Sequence, residues 1–313
     1  MTRESTKQMI EPSPPARKAD LRPGEIAVLV FLAFMTVIAW THPGQIPTAM
    51  RASLLTVTLL FLLAALALGE ERQGWRYWAR ELLPVPVVPY VFLNIGRLIP
   101  LVNGRILDDV LFRCDRALLG PEAQAALYAV PLPPWLADVL TLAYSTFFFQ
   151  PIVLAVTLAA RRDSTLPRVT TAVLFSFVVS YAGYFVVPAY GPRATVAQGR
   201  YATLPPGAVG APIRDLLDHW EKTKMDAFPS GHTMVTLAVL YCARKRVRWL
   251  YNVLLPIVVL LVCATVLLTY HYLVDVLAAL PLLALSLAAA SLLHGPVPFA
   301  SRAAPVELPM PPA

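Results

Sequence analysis

Two short stretches of the chain carry side chains that could do nucleophilic or acid–base chemistry. One is Pro229–His232, which reads Pro-Ser-Gly-His and precedes a short apolar run. In the other, His271 lies four residues before Asp275. Residues four apart on a helix share a face, so Asp275 can accept a hydrogen bond from one nitrogen of His271 and leave the other free as a nucleophile or base. A pair that serves only as a structural hydrogen bond is the alternative for this motif.

The Pro-Ser-Gly-His stretch has the features of an anion-binding helix start. Pro229 stops any preceding helix, and Ser230 is a natural N-cap residue. Gly231 leaves room for a ligand to approach the backbone N–H groups, which are unpaired in a first turn and attract anions. His232 lies in that turn, where it could donate a proton to a leaving oxygen. The alternative is an ordinary Ser-capped helix with a polar first turn.

A third stretch, which ends at Arg193 in Tyr-Gly-Pro-Arg, adds a cation. Two histidines in distinct environments, a carboxylate, an anion-binding turn and an arginine suit phosphoryl transfer through a phosphohistidine, in which positioning and electrostatics do most of the work. We expect His271 to attack phosphorus and Asp275 to orient it. We expect His232 to protonate the departing oxygen. The residues expected to hold the phosphoryl oxygens are Arg193, Ser230 and Gly231.

The elements that must position these residues are predicted to be membrane helices. The 313-residue chain is 57% hydrophobic and 14% charged, with a mean hydropathy of +0.61, which excludes an ordinary soluble domain. A span needs roughly 20 apolar residues, and about eight runs approach that length. They are 25–40, 52–68, 82–100, 135–160, 170–187, 231–243, 249–268 and 272–293. We therefore predict an all-α polytopic membrane helical bundle, with about six core helices and about two N-terminal ones.

Two of these runs depart from a simple span. The third contains Pro84, Pro86 and Pro89, which predict a helix that is kinked or only partly inserted. The sixth is short, and it reaches the interface if the basic residues 244–246 at its end extend their side chains towards the headgroups.

The positions of the basic residues predict which side of the membrane each segment faces. Lysine and arginine crowd the N-terminal tail and the connections after the second, fourth and sixth runs, as is typical of short cytoplasmic loops. With both termini in the cytoplasm, 101–134 and 188–229 face the extracytoplasmic side, and so does the candidate site. The net charge of +7 follows largely from this topology, so we expect the lipid bilayer as a partner and no nucleic acid. The predicted location is the plasma (inner) membrane.

The chain is predicted to have four segments. They are a disordered cytoplasmic tail at 1–24, N-terminal transmembrane helices at 25–100, a membrane domain with the candidate site at 101–294, and a second disordered cytoplasmic tail at 295–313. Within the membrane domain, 106–119 is predicted to be an interfacial helix. Its predicted apolar face consists of Ile106, Leu107, Val110, Leu111 and Leu118. The residues predicted to lie towards the opposite face are Asp108, Asp109, Arg113 and Asp115.

The Pro-Ser-Gly-His stretch, followed later by His-Tyr-Leu-Val-Asp, resembles the type 2 phosphatidate phosphatase superfamily. Members of that superfamily are metal-independent phosphatases and phosphotransferases that use histidine. Their pattern has three blocks: Lys-x6-Arg-Pro, Pro-Ser-Gly-His and Ser-Arg-x5-His-x3-Asp. The resemblance covers 115–290 of this chain. It carries the middle block onto Ser230, Gly231 and His232, and the last block onto His271 and Asp275.

The chain departs from the family pattern in its first and last blocks. Arg193 matches the arginine of the first block, although the order here is Gly-Pro-Arg, and the lysine position falls on Val186. The Ser-Arg positions of the last block fall on Ala264 and Thr265. Together with Asp115–Gly120 (DRALLG), these features resemble the inositol phosphorylceramide synthase-like branch, whose last block tends to begin Ala-Thr.

The resemblance implies an integral membrane lipid-phosphate phosphatase or phosphotransferase that uses no metal and no cofactor. Whether water or an alcohol accepts the phosphoryl group stays open. The same His and Asp residues could ligate zinc, although no His-x3-His or Cys partner set accompanies them. A non-catalytic lipid-binding or transport protein that keeps the scaffold is the other alternative, since two family cations are missing. In an enzyme, Lys222 or Lys224 could replace one of those cations.

Overall fold

The computed structural model describes residues 20–70, 73–196, 207, 209–220 and 223–294. The described residues form α-helices joined by turns, and no β-strand occurs among them, which confirms the predicted all-α fold. The tails predicted at 1–24 and 295–313 lie outside the described residues, except for 20–24, where a helix begins at Pro23.

The helices are α1 (Pro23–Thr41), α2 (Thr48–Leu68), α3 (Gly74–Leu82), α4 (Pro84–Ile95), α5 (Ile99–Val102), α6 (Asp108–Leu119), α7 (Pro121–Ala129), α8 (Pro134–Ser145), α9 (Gln150–Ala160), α10 (Leu166–Val186), α11 (Gly210–Trp220), α12 (Gly231–Arg246), α13 (Arg248–Leu267) and α14 (Leu273–His294). Helices α1, α2, α10, α13 and α14 are each long and apolar enough to cross a membrane, so the protein is an integral membrane protein. Helix α7 and the segment Pro134–Phe148 meet the same requirement only as a pair, bent by 97°.

Three predicted runs take other forms. The run at 135–160 is broken between α8 and α9 by a single 3₁₀ turn, because Pro151 at the start of α9 lacks an N–H and its ring disfavours a helix that continues through the preceding turn. The proline-containing run at 82–100 is divided between the end of α3, α4 and α5. The run at 231–243 forms α12, whose side chains are mostly buried against protein.

Helices α10 and α12 form the centre of the bundle. Helix α12 packs against α9, α10, α13 and α14, and α10 also packs against α1 and α14. Small residues permit close contacts between helices, which matter where lipid removes the hydrophobic drive for association. A Cβ added to Gly24 of α1 would lie only 2.9 Å from the Cα of Thr171 on α10. Two apolar clusters meet at α10, one with α1, α2, α4 and α5 and the other with α9, α12 and α13.

One end of the bundle is held by buried ion pairs. Arg22, just before α1, donates to both carboxylate oxygens of Glu81 at 2.8 and 2.9 Å. Arg80 donates to Glu25 at 3.0 and 3.1 Å. Glu70, after α2, lies 2.9 Å from Arg22. Because a buried charge that loses its partner is costly, the pairs of Arg22 with Glu81 and of Arg80 with Glu25 join the start of α1 firmly to the end of α3. The half-exposed Glu70 links the end of α2 to them.

The turns that carry the basic residues lie at this same end. The hydroxyl of Tyr77 in α3 donates to the carbonyl oxygen of Ala159 at 3.2 Å, next to the turn between α9 and α10. The Tyr77 ring belongs to the apolar cluster that contains Val247, the residue between α12 and α13. The starts of α12 and α14, which carry the candidate site, therefore lie at the opposite end.

Candidate active site

The candidate residues meet where α10 ends and where α12 and α14 begin. The backbone N–H of Arg193 donates to the carbonyl oxygen two residues before His271, at 2.7 Å. The N–H of Ser230 donates to the carbonyl oxygen of Asp275 at 3.1 Å. The imidazole rings of His232 and His271 have centroids 5.9 Å apart. The structure therefore brings the three predicted segments into one cluster.

His271 is held in one orientation by its backbone and by its ring. Its backbone N–H donates to the carbonyl oxygen of Thr265 at 2.8 Å. Its Nδ1 lies 2.7 Å from the carbonyl oxygen of Ala227. Because a carbonyl oxygen only accepts, we assign the proton of the neutral ring to Nδ1, which leaves the lone pair on Nε2. A nucleophile that reacts through Nε2 requires this tautomer.

Asp275 does not make the expected hydrogen bond to His271. Its Oδ2 lies 3.6 Å from Nδ1 of His271, beyond hydrogen-bond distance. Oδ2 accepts instead from the backbone N–H of Tyr272 at 2.8 Å, because Asp275 lies in the first turn of α14, where N–H groups lack helical partners. Oδ1 has no hydrogen-bond partner among the described residues. The buried carboxyl group therefore lies near the ring of His271 without a hydrogen bond to it.

The surroundings of His271 keep its ring neutral. Burial lowers the pKa of His271 to about 4, while the carboxylate of Asp226 and the carbonyl of Ala227 act in the opposite direction. The positive charge of Arg193 adds to the lowering of that pKa. At neutral pH the Nε2 lone pair is therefore available.

His232 lies in an aromatic enclosure at the start of α12. Its ring stacks on Tyr144 at a centroid distance of 4.3 Å and contacts the ring of Phe147 at 4.2 Å. The Tyr144 hydroxyl lies 3.5 Å from Nδ1. Nε2 is buried and has no hydrogen-bond partner among the described residues. A polar atom left in this state is free to bond a ligand.

The two residues before His232 shape the helix start. Ser230 is the N-cap of α12, as predicted, and its Oγ accepts from the backbone N–H of Thr233 at 3.3 Å. The space around Gly231 is occupied partly by protein, since a Cβ there would lie 2.6 Å from the hydroxyl of Tyr184 on α10. Gly231 therefore permits the close contact of α12 with α10. That Ser230 and Gly231 also hold a phosphate stays a prediction.

The loop before Arg193 depends on a glycine. Gly191 has φ +85°, a left-handed conformation that favours glycine, and a Cβ there would collide with the carbonyl oxygen of Tyr270. The neighbouring Thr269 also adopts a positive φ, of 64°, and its carbonyl oxygen accepts from the N–H of Arg193. A glycine turn at Gly191 and a strained turn at Thr269 thus bring the loop after α10 against the loop that carries His271.

The guanidinium of Arg193 is buried among aromatic and acidic groups. It lies 4.7 Å from the centre of the Tyr270 ring, a cation–π distance. Its nitrogens lie 3.6 Å from a carboxylate oxygen of Asp218 and 3.9 Å from one of Asp226. Asp218 also contacts Lys224, at 3.3 Å. Lys224 is thus near the site, whereas the other lysine considered from the sequence, at 222, lies outside the described residues.

Several residues of the site were missed by the sequence analysis. They are Tyr144, Phe147, Asp218, Asp226 and Tyr270. Asp226 had a local signal, since it opens the segment that contains Pro-Ser-Gly-His. Tyr144 and Phe147 had none, because they come from a distant helix and read as ordinary apolar residues. Among the described residues, no group of three or more His, Cys, Asp or Glu side chains is placed to hold a metal ion.

The helix predicted at 106–119 forms α6, and the face that it turns inward contains residues of both predicted sets. Leu111, Asp108 and Asp115 are buried, whereas Ile106, Val110 and Leu118 are exposed. Asp109 and Arg113 are exposed too. Asp108 accepts from the N–H groups of the loop before Arg193 and from the Tyr272 hydroxyl, at 2.9 to 3.0 Å. Asp115 accepts from the first two N–H groups of α14 at 2.7 and 2.8 Å. Asp108 and Asp115 thus supply acceptors for N–H groups of the loop before Arg193 and of the start of α14, which lack helical partners.

Replacing Asp115 by asparagine is expected to lower the free energy of unfolding by about 1–3 kcal/mol, because an amide offers one oxygen to the two N–H groups of Leu273 and Val274. Thermal unfolding of the purified protein in detergent measures the loss. Asp109→Asn is the matched control, since Asp109 is an exposed residue of the same helix. Equal unfolding temperatures for the two variants would contradict a capping role for Asp115.

The positions of the missing family cations have different surroundings. Val186, at the lysine position, is 68% exposed at the end of α10. Ala264 and Thr265, at the Ser-Arg positions, are fully buried in α13. Thr265 is nevertheless part of the site through its backbone, since its carbonyl oxygen holds the N–H of His271.

A protein-family model described as the PAP2 superfamily matches residues 110–289, which is more than half of the chain. Comparisons with curated proteins and with solved structures found no match. The matched segment begins within α6 and ends within α14, so it contains every candidate site residue and leaves α1–α5 outside. With its motifs at one end of a membrane helical bundle, the chain belongs to the PAP2 superfamily, the superfamily of type 2 phosphatidic acid phosphatases.

Proposed function

We propose that the protein transfers the phosphoryl group of a membrane lipid phosphate through a phosphohistidine intermediate. One observation carries the proposal: the neutral ring of His271, with its tautomer set by Ala227, lies 5.9 Å from the ring of His232, measured between centroids. A phosphorus atom between the rings is within reach of both. Membership of a superfamily of phosphatases and phosphotransferases supports the same chemistry.

In the first step, the Nε2 lone pair of His271 attacks phosphorus. A P–N bond forms while the P–O bond to the lipid alcohol breaks, and His232 donates a proton to the departing oxygen. The negative charge of the incoming phosphate favours the protonated form of His232. Asp275, 3.6 Å from Nδ1, stabilises the positive ring that P–N bond formation creates.

In the second step, an acceptor hydroxyl attacks the phosphohistidine. His232 removes the proton from that hydroxyl, a new P–O bond forms, and the P–N bond breaks with return of its electron pair to Nε2 of His271. Water as the acceptor releases inorganic phosphate, whereas an alcohol yields a new phosphate ester. The resemblance to the inositol phosphorylceramide synthase-like branch makes a lipid alcohol the acceptor to test beside water.

Three groups are proposed to hold the phosphoryl oxygens: the guanidinium of Arg193, the hydroxyl of Ser230 and the amide of Gly231. The guanidinium of Arg193 lies 3.6 Å from a carboxylate oxygen of Asp218 and 3.9 Å from one of Asp226. A guanidinium can also bind a phosphate through charge-assisted hydrogen bonds. The first-turn N–H groups of α12 favour the same anion. Lys224 adds a positive charge at the edge of this group.

We also propose that the site faces the extracytoplasmic side of the plasma (inner) membrane, with both termini in the cytoplasm. In support, the basic turns after α9 and α12 lie at the end of the bundle opposite the site, and basic turns favour the cytoplasm. The catalytic domain is assigned to 101–294, and the helices at 25–100 precede it. A lipid phosphate presents its headgroup at such a surface.

The proposed function is tested by a product screen with the purified protein in lipid vesicles. The substrates are phosphatidate, a prenyl phosphate, and a phosphoinositide donor paired with ceramide or diacylglycerol. We expect inorganic phosphate or a new lipid ester from at least one class, and inorganic phosphate as the sole product would rule out obligate transfer. Lipid binding without any product in every arm would overturn the proposal and favour a non-catalytic lipid-binding or transport protein.

A further inference from the structure

An apolar groove of about 510 Å³ runs from the candidate site towards the far end of the bundle. Helices α4, α9 and α10 and the 3₁₀ turn before α9 form its walls. His232 and Asp226 line it at the site, and Glu81 and Thr170 line it at the far end. On α10, the lining extends from Tyr184 back to Val169, which corresponds to about 23 Å of helix.

We propose that this groove holds the hydrocarbon chain of the lipid phosphate, and that α4 forms the wall that limits the length of the chain. The inference rests on the proposed function, and it adds the part of the substrate that the groove selects. Helix α4 lies outside the matched segment 110–289. Selection of the hydrocarbon length therefore comes from a part of the protein that the superfamily match does not include.

The lining of the groove fits a hydrocarbon chain. Most of its side chains are aliphatic or aromatic, so a hydrocarbon chain that moves there from the bilayer stays in an apolar environment and gains van der Waals contacts with protein. Along α4 the lining residues are Pro84, Val85, Val88, Pro89, Phe92 and Leu93, spaced so that they share one helix face. A polar ligand of the same volume would find few hydrogen-bond partners along this wall.

The groove is accessible from the side of the bundle. Phe149, at the start of α9, is 65% exposed, and Leu93 of α4 is also exposed. These two residues stand on the α9 and α4 sides of the groove. A lipid can therefore enter from the bilayer with its headgroup level with His232, since groove and site are continuous.

The far end of the groove meets charge. Glu81 lines that end, and both of its carboxylate oxygens are engaged by Arg22. A hydrocarbon chain long enough to extend beyond this end would have to displace the buried ion pair, which is costly. Pro84 and Val85, at the start of α4, are the lining residues of that helix nearest to Glu81 in the chain, and Val85 can be replaced without loss of the proline that begins the helix.

The test replaces Val85 by tryptophan, which fills the far end of the groove and leaves the site unaltered. The substrates are a long-chain (dioleoyl) and a short-chain (dihexanoyl) phosphatidate, with the matching prenyl phosphates if the screen favours that class. For the long chain we expect kcat/KM to fall by about tenfold or more, because the groove loses room for several methylene groups. For the short chain we expect no change, which also shows that the variant is folded.

Val153→Trp is the matched control, because Val153 lies on α9, is exposed and does not line the groove. It should leave both substrates unaffected. Val85→Ala should have the opposite effect and raise kcat/KM for the long-chain substrate relative to the short-chain substrate. If Val85→Trp lowered kcat/KM equally for the two substrates, or for neither, the role of α4 in selecting the hydrocarbon chain would be overturned.

This outcome is distinct from a failure of the proposed function. Absence of product from the wild type with every lipid would reject the enzyme, and the groove would then be tested by binding alone. Long-chain alkyl phosphate should raise the unfolding temperature of the wild type and of Val153→Trp, but not that of Val85→Trp. Stabilisation of all three proteins to the same extent would overturn the inference by itself.

Discussion

Replacement of His271 by alanine is expected to reduce phosphoryl transfer by about 10⁴-fold or more, because the variant lacks the atom that forms the P–N bond. Lipid binding should persist, since the groove and Arg193 are unaltered. Phosphate release and headgroup transfer measure turnover. Trapping with a labelled lipid phosphate measures the intermediate, which should be stable to base and labile to acid in the wild type and absent from the variant.

His219→Ala is the matched control for this experiment. His219 is an exposed residue of α11, so the variant removes a histidine without removing either ring of the site. Its turnover and its trapped intermediate should equal those of the wild type. A His271→Ala variant that retained turnover, or that still formed the intermediate, would place the nucleophile elsewhere and refute the assignment of Nε2.

Replacement of His232 by alanine is expected to lower turnover of lipid phosphates by about 10²–10⁴-fold, because no side chain then protonates the departing alkoxide. The same change should act differently on a soluble aryl phosphate, whose leaving group needs no proton. With that substrate the first step remains fast, and the second step becomes slow because no base activates the acceptor. Rapid-mixing kinetics should show a burst of phenol close to one equivalent of enzyme.

The burst separates the two histidines. His271→Ala should give neither a burst nor turnover with the aryl phosphate, whereas the wild type should turn over steadily. In His232→Ala, water can fill the space that the imidazole ring leaves beside Tyr144 and Phe147. The unfolding temperature of the variant shows whether it is folded. Equal losses of lipid and aryl phosphate turnover, without a burst, would show that His232 does not act on the leaving oxygen.

Features set by neighbouring residues could be predicted from the sequence. Ser230 caps α12 as expected, because a cap depends on a side chain and an N–H group only three residues apart. The apolar runs that form α1, α2, α10, α13 and α14 could be recognised by length and composition. The breaks near Pro84 and Pro151 follow from the missing N–H of proline, although only the first was anticipated.

Partners from distant segments could not be predicted. Spacing places Asp275 and His271 on one face, yet Nδ1 of His271 bonds the carbonyl of Ala227, 44 residues away. Any residue has a carbonyl, so no sequence pattern marks this acceptor. The groove could not be predicted for the same reason. Its walls come from three helices, and each helix alone has the sequence of an ordinary apolar run.

The sequence by itself determined the membrane bundle, the superfamily and the three segments that carry the candidate chemistry, because these depend on composition and on spacing along the chain. Only the tertiary structure decided which face of α6 turns inward. The amphipathic pattern predicted an interfacial helix with an apolar and a polar face, but the face turned inward combines Leu111 with Asp108 and Asp115, and Val110 is exposed. The N–H groups of α14 and of the loop before Arg193 require acceptors inside the protein, whereas exposed apolar side chains cost little beside a membrane.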